Sequence, residues 1–167
     1  QTSGPVELRG AEGESLGIYA QQHEQAIESV IATVHAARGG AVPEWALVYQ
    51  SRSGPPTMPW LEPDINDAIR SAAATGLDAV VVVPIGFVSD HVEVIWDLDH
   101  EAKETALELG LAFERVSTPG TDARFVASLV DRIEESLRGE VPESWRAFCS
   151  ETCCPNARAQ RPVISGT

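Results

Sequence analysis

The sequence predicts an α/β domain in which crossover helices cover both faces of a parallel sheet. Helical and extended periodicities alternate along the chain in the order α-β-α-β-α-β-α. Val80 to Val83 form an apolar β-branched run bounded by Pro84 and Gly86, the pattern of a strand buried on both faces. That strand leads through a polar turn into a helix, and such turns are where open α/β sheets hold their ligands.

Residues 1–14 are rich in Gly and Glu without periodicity and read as a surface loop. From about Leu16 to Ala37, the residues Ile18, Ala26, Ile27, Val30, Ile31 and Val34 fit one helical face, and Gly39-Gly40 stops the helix. His23 and His35 lie in that helix without a Cys or carboxylate at ligand spacing, so they read as surface or packing residues. Trp45 to Gln50 is a short strand candidate. A loop with Pro55, Pro56, Pro59 and Pro63 follows; such a loop is costly to reshape and suits the preformed wall of a pocket. Asp64 to Ala74 reads as a helix with Ile65, Ala68, Ile69 and Ala72 inward, ended by Gly76.

Past the valine strand, Ser89 or Asp90 is the expected helix cap. Val92, Ile95, Trp96 and Ala102 are the expected inward positions of a helix that runs to about Leu109. Leu111 to Val116 reads as a third strand, and Asp122 to Leu137 as a last helix with Phe125, Leu129, Val130 and Ile133 on one side. Residues 1–140 are expected to form the α/β domain and 141–167 a cysteine-bearing tail.

At 167 residues the length suits one domain with a sizeable core. Twelve basic against 25 acidic residues give a net charge of −13, which argues against nucleic acid or an anionic membrane as principal partner. No apolar run reaches the roughly 18 residues that a membrane span needs. The polar opening QTSGP is not a signal peptide, and the missing initiator Met suggests a fragment or a processed product. A cytoplasmic location is expected.

The chemistry concentrates after the valine strand. His91 and Glu93 are two apart and share a face if the backbone there is still extended. Asp97 and Glu101 follow Glu93 at intervals of four; each step in an α-helix advances about 6 Å and drifts about 40°, which makes a slanting ladder of carboxylates. With no Lys or Arg before Lys103, the ladder invites a divalent cation. A plainer reading stands beside this one: Asp90-x-x-Glu93 has capping-box spacing, and acidic residues in a first turn are favoured by the helix dipole alone. A single histidine commonly serves a structural role.

The second chemical signal is Cys149-x3-Cys153-Cys154, which gathers all three cysteines of the chain into six residues. Soft thiolates so close together read as a metal or iron-sulfur site, one ligand short of four. A Zn2+ site completed by a histidine, or free thiols, are the alternatives.

Two blocks resemble a known family. PIGFVSDHVEVIWDLDHEA, Pro84 to Ala102, resembles the signature of the ferrochelatases, including its SDHxE core. YQSRSGPPTMPWLEPDI, Tyr49 to Ile65, resembles the family's QS-R/K-x-GP and PWLxP segments. The resemblance implies a Rossmann-like, chelatase-like domain, one of two similar domains with a porphyrin in the cleft between them. This chain resembles the C-terminal half, beginning just beyond where a family histidine motif, S-A-H-S-L/I-P, would stand.

The implied reaction is insertion of Fe2+ into a porphyrin in heme biosynthesis. By that resemblance Asp97 and Glu101 pass the ion to Glu93 and His91, Glu93 accepts or relays the pyrrole protons, and His91 orients Glu93. Trp60, for which ordinary burial is the commoner fate, is placed by the resemblance beside the porphyrin face; Ser51 and Arg52 are porphyrin-binding candidates, Arg52 pairing with a propionate or merely with a nearby Asp. Actinobacterial members with such a tail hold a 2Fe-2S cluster on three C-terminal cysteines and a fourth from the N-terminal half, and favour coproporphyrin III over protoporphyrin IX. One departure is Asp97, where some members have Glu; the reach shortens by about one methylene, leaving room for a water on the metal. The alternatives are a non-catalytic heme- or iron-binding or Fe-S sensing module, or a chelatase for another tetrapyrrole with Co2+ or Ni2+.

Overall fold

The structure, a computed structural model, describes residues 18–50 and 61–140. Two compact units divide the chain, Gln1–Gly120 and Thr121–Thr167. The expected domain boundary at residue 140 falls at the edge of the described residues, and the cysteine tail lies outside them.

In the first unit, helix α1 spans Ile18–Arg38. His35 and Arg38 occupy its last turn, where cations complement the helix dipole, and Gly39, at φ 67°, donates its N–H to the His35 carbonyl at 2.8 Å. Of the expected apolar face, Ile27 and Ile31 are half-buried and Val30 and Val34 exposed. The strand expected at Trp45–Gln50 reduces, in the described residues, to one parallel bridge between Tyr49 and Asp64. Two hydrogen bonds make it, Tyr49 N–H to Pro63 O at 2.9 Å and Ile65 N–H to Tyr49 O at 2.8 Å. On the partner side Pro63 accepts but has no N–H to donate to a longer ladder.

Helix α2, Ile65–Ala74, begins where Asp64 caps it, its Oδ1 accepting the Asn66 N–H at 2.8 Å. Ile65 and Ile69 are buried as expected. Strand β1, Ala79–Val82, pairs in parallel with β2, Ala112–Arg115, in the register Ala79↔Ala112 to Val82↔Arg115. Both strands therefore end at one edge of the sheet, and the observed class is α/β with a parallel sheet. Val80 and Val82 pack on the core, whereas Val81 and Val83 are exposed, so β1 is covered on one face and not on both as expected. A short run of valines carries no period that would separate a half-buried strand from a fully buried one.

Between the strands runs an unbroken helix: α3 (Val92–Val94), a π-helical segment (Ile95–Ala102) and α4 (Lys103–Glu108). Its inward residues are Val94, Leu98, Ala102 and Ala106, packed with Ile65, Ile69 and Leu111. This corrects the expected inward face. Val92 is 81% and Trp96 57% exposed, Ile95 is exposed too, and only Ala102 of the expected set is buried. Val92 and Val94 stand about 200° apart on the first helical turn, so a buried Val94 leaves Val92 exposed; the helix type then shapes the buried row. A row at intervals of four drifts in one sense around an α-helix, but falls short of a full turn where bonds run i→i+5. A helix mixing the two keeps that row nearly straight, and two small alanines complete a seam that bulkier residues elsewhere conceal in the sequence.

In the second unit, helix α5 spans Ala123–Leu137, capped by Asp122, whose Oδ1 accepts the Arg124 N–H at 2.9 Å. Its expected apolar stripe is present, with Phe125 half-buried and Leu129, Val130 and Ile133 exposed.

Candidate functional site

The site grows from the turn that joins β1 to α3. Pro84 is buried, the Phe87 N–H donates to the Pro84 carbonyl at 3.1 Å, and the Gly120 N–H donates to Val88 O at 2.9 Å. These bonds bring the turn to His91 in a fixed course. His91 is the helix N-cap, in place of the expected Ser89 or Asp90: its backbone is extended (φ −79°, ψ 171°) and its Nδ1 faces the Val94 N–H at 3.5 Å. The Phe87 ring meets the imidazole edge-on, with centroids 5.3 Å apart. Extended geometry stops at His91, because Val92 is already helical; the strand-like alternation expected to align His91 with Glu93 does not extend to Glu93.

Asp90 does not form the capping box. Its Oδ1 accepts from Arg115 Nη1 at 2.8 Å and from the Thr118 N–H at 3.3 Å. Arg115 makes a fork to Asp99 as well, Nε to Oδ1 at 2.8 Å and Nη2 to Oδ2 at 2.6 Å. The Arg115 side chain is only 12% exposed. These hydrogen bonds hold the Asp99 carboxyl below its ordinary range, against the opposing cost of burial, and raise Arg115 above its own.

Along the helix, Glu93 and Glu101 are exposed and Asp97 half-buried. The mixed helix straightens their row as it does the buried seam, so the carboxylates form a line more than a slanting ladder. A line is not a cage: among the described residues no three His, Cys, Asp or Glu side chains stand together as a metal-holding group. The π-helical spacing instead brings Trp96 to Glu101, five residues on, and its Nε1 donates to Oε1 at 3.2 Å. The Trp96 ring also lies 5.2 Å from that of His100. Ser51, Arg52 and Trp60, with Cys149, Cys153 and Cys154, lie outside the described residues.

Sequence reasoning missed Arg115 and Asp99. A signal was there: Leu111, Phe113 and Arg115 alternate on one face of β2, and an arginine on the same face as core residues demands carboxylate partners.

Fold and frame together define an α/β domain that presents an imidazole and a line of carboxylates at the C-terminal edge of a parallel sheet, braced by an internal arginine. The chain belongs to the ferrochelatase family, whose family model, Ferrochelatase, matches residues 3–137. It is 47% identical over 161 residues to the coproporphyrin III ferrochelatase of Leifsonia xyli subsp. xyli, covering 90% of this chain and 40% of that protein. To the coproporphyrin III ferrochelatase of Propionibacterium freudenreichii subsp. freudenreichii it is 46% identical over 168 residues, 97% of this chain and 47% of that protein. To that of Nocardia farcinica it is 53% identical over 131 residues, 72% and 37% respectively. The chain thus spans less than half the length of these relatives. No helix among the described residues is long and apolar enough to cross a membrane.

Proposed function

We propose that the protein carrying this chain inserts Fe2+ into a porphyrin, coproporphyrin III in preference to protoporphyrin IX, and that this chain supplies the C-terminal half of the enzyme. The observation that carries the reading is the row Glu93, Asp97 and Glu101, exposed at its ends and half-buried at Asp97, which starts two residues from His91 and runs beside the buried seam of the helix. Acidic side chains in a row that solvent reaches suit a partly hydrated cation that is to be handed on and not kept. Fe2+ accepts both carboxylate and imidazole ligands, so Glu101 and Asp97 pass it towards Glu93 and His91.

As the metal enters, the two pyrrole N–H protons leave the ring, so two positive charges replace two. Glu93 takes or relays those protons; His91, capping the helix on which Glu93 sits, orients it. Trp60 offers a flat face to the macrocycle, Arg52 a fork for a propionate, and Ser51 a hydroxyl. The N-terminal half of the same enzyme closes the cleft, and the reaction takes place in the cytoplasm. The three thiols fit a 2Fe-2S cluster in their chemistry and fall one short of its four thiolates, so Cys149, Cys153 and Cys154 hold it with a ligand from outside this chain.

A second reading, a non-catalytic heme- or iron-binding module or Fe-S sensor, is kept because the chain spans less than half the length of the relatives it matches. Absorbance on mixing the whole protein with coproporphyrin III and Fe2+ separates the two. Conversion to the metalloporphyrin spectrum is the expected result. A shifted Soret band without insertion contradicts the enzymatic reading and supports the binder.

A further inference from the structure

The candidate site accounts for His91 and the carboxylate line but leaves the most buried ion-pair network of the described residues unused. Arg115 ends β2, Asp90 immediately precedes His91, and Asp99 stands midway between Asp97 and Glu101. We infer that Arg115 is a positioning residue for the reaction: one guanidinium clasps the turn before His91 and the helix after Asp97, and so fixes where His91, Glu93 and Asp97 stand relative to the sheet edge.

The geometry supports this over an ordinary surface ion pair. Nε, Nη1 and Nη2 all donate to carboxylates, at 2.8, 2.8 and 2.6 Å, from a side chain that is 12% exposed. The exposed pair Arg70–Asp67 has one such bond, with side chains 58% and 71% exposed, and the fork of Arg124 to Asp122 binds one carboxylate from a side chain that is 93% exposed, whereas Arg115 joins two carboxylates. Asp90 is fastened a second time by the Thr118 N–H. Arg115 itself is anchored by the register Val82↔Arg115 and by the neighbouring bond from the Val116 N–H to Val82 O at 2.9 Å. Pinning the chain at 90 and 99 from one rigid strand end removes the rotation that would otherwise let the first helical turn swing. The site residues at 91, 93 and 97 lie between the two pins. No lysine reproduces this, since an ammonium on a flexible stem lacks the planar fork.

The inference rests on the reading that Glu93 and His91 serve metal insertion, so the test includes a variant of Glu93. Metal insertion is measured in the whole protein with Arg115→Lys, Arg115→Ala, Asp99→Asn and Glu93→Gln, and with Arg70→Ala as control. Turnover is expressed per folded molecule from circular dichroism and melting curves. Expected losses in kcat are about tenfold for Arg115→Lys and Asp99→Asn and up to about a hundredfold for Arg115→Ala, the scale of a displacement near 1 Å. KM for the porphyrin should stay within about twofold, because binding is left in place and only the reacting geometry is lost. Arg70→Ala should match the parent.

A purely structural pair predicts lower melting temperatures with unchanged kcat per folded molecule, and that result overturns the positioning role even if Glu93→Gln is dead. A loss carried wholly by KM overturns it too. Full turnover in Glu93→Gln sinks the underlying site reading instead. Should Arg115→Ala not fold, Arg115→Lys and Asp99→Asn carry the comparison.

Discussion

Truncating Leu98 to alanine tests which side of the long helix is buried. Leu98 is 1% exposed and packs in the seam with Val94, Ala102 and Ala106 against Ile65, Ile69 and Leu111. Removing a fully buried leucine side chain costs the transfer free energy of the lost groups plus a cavity contribution, about 2–5 kcal/mol together. Alanines flank Leu98 one turn and two turns on, and such small neighbours cannot move in to fill the space, which places the expected cost in the upper half of that range. Val94→Ala, losing two methyl groups from an equally buried position, should cost about 2 kcal/mol by the same reasoning. Val92→Ala and Trp96→Ala, on the opposite side, should fall within about 0.5 kcal/mol of the parent if nothing outside the described residues covers them. Urea denaturation of each variant, followed by far-UV circular dichroism, reads the difference as a shift in midpoint at constant slope. If Val92→Ala or Trp96→Ala destabilised more than Leu98→Ala, the sequence-predicted face would be the true one and the straightened seam wrong.

Other outcomes follow from the same geometry. The Asp99 carboxyl is held below its ordinary value chiefly by the Arg115 hydrogen bond, so its contribution to stability is complete above the unfolded carboxylate range and disappears as pH falls through the lower folded value. The stability gap between the parent and Asp99→Asn should therefore be wide at neutral pH and close in acid, and a gap that widens in acid contradicts the pairing. Arg124 holds Asp122 down to about 2, and carboxyl NMR should find its titration there; a value near 3.8 removes the proposed α5 cap interaction. Zn2+ bound at Glu101 would compete with the Trp96 indole for Oε1, so a metal titration should change tryptophan emission and Trp96→Phe should blunt that change. If the proposed cluster is held there, the whole protein should purify with iron and sulfide and Cys153→Ser should lose both; content undiminished in that variant would contradict the assignment.

The α/β class was legible because its signals are local: valines bounded by Pro84 and Gly86, an Asp64 cap, Gly76 and Gly110 at positive φ where helices end. The ends of α2, β1 and β2 fall within a residue or two of expectation for that reason. The inward face of the long helix was not legible, since Val92 and Val94 are equally apolar on opposite sides of its first turn and no residue pattern announces the i→i+5 bonding that follows. Among the described residues the strand expected at Trp45–Gln50 shows one bridge, at Tyr49, and its pairing could not be read because it depends on a distant partner. Within the site, the spacing from His91 to Glu101 could be read directly, but the work of Asp90 could not. Its guanidinium partner comes from residue 115, and only the alternation on β2 hinted that an arginine would be turned inward.

Metal insertion by the whole protein with Glu93→Gln tests the central claim most directly. The exchange keeps the size of an exposed side chain and removes only its charge and basicity. Melting behaviour and porphyrin binding should match the parent while metalloporphyrin formation falls to the uncatalysed rate. Turnover at the parent rate would mean that the carboxylate beyond His91 neither receives the ion nor takes the pyrrole protons.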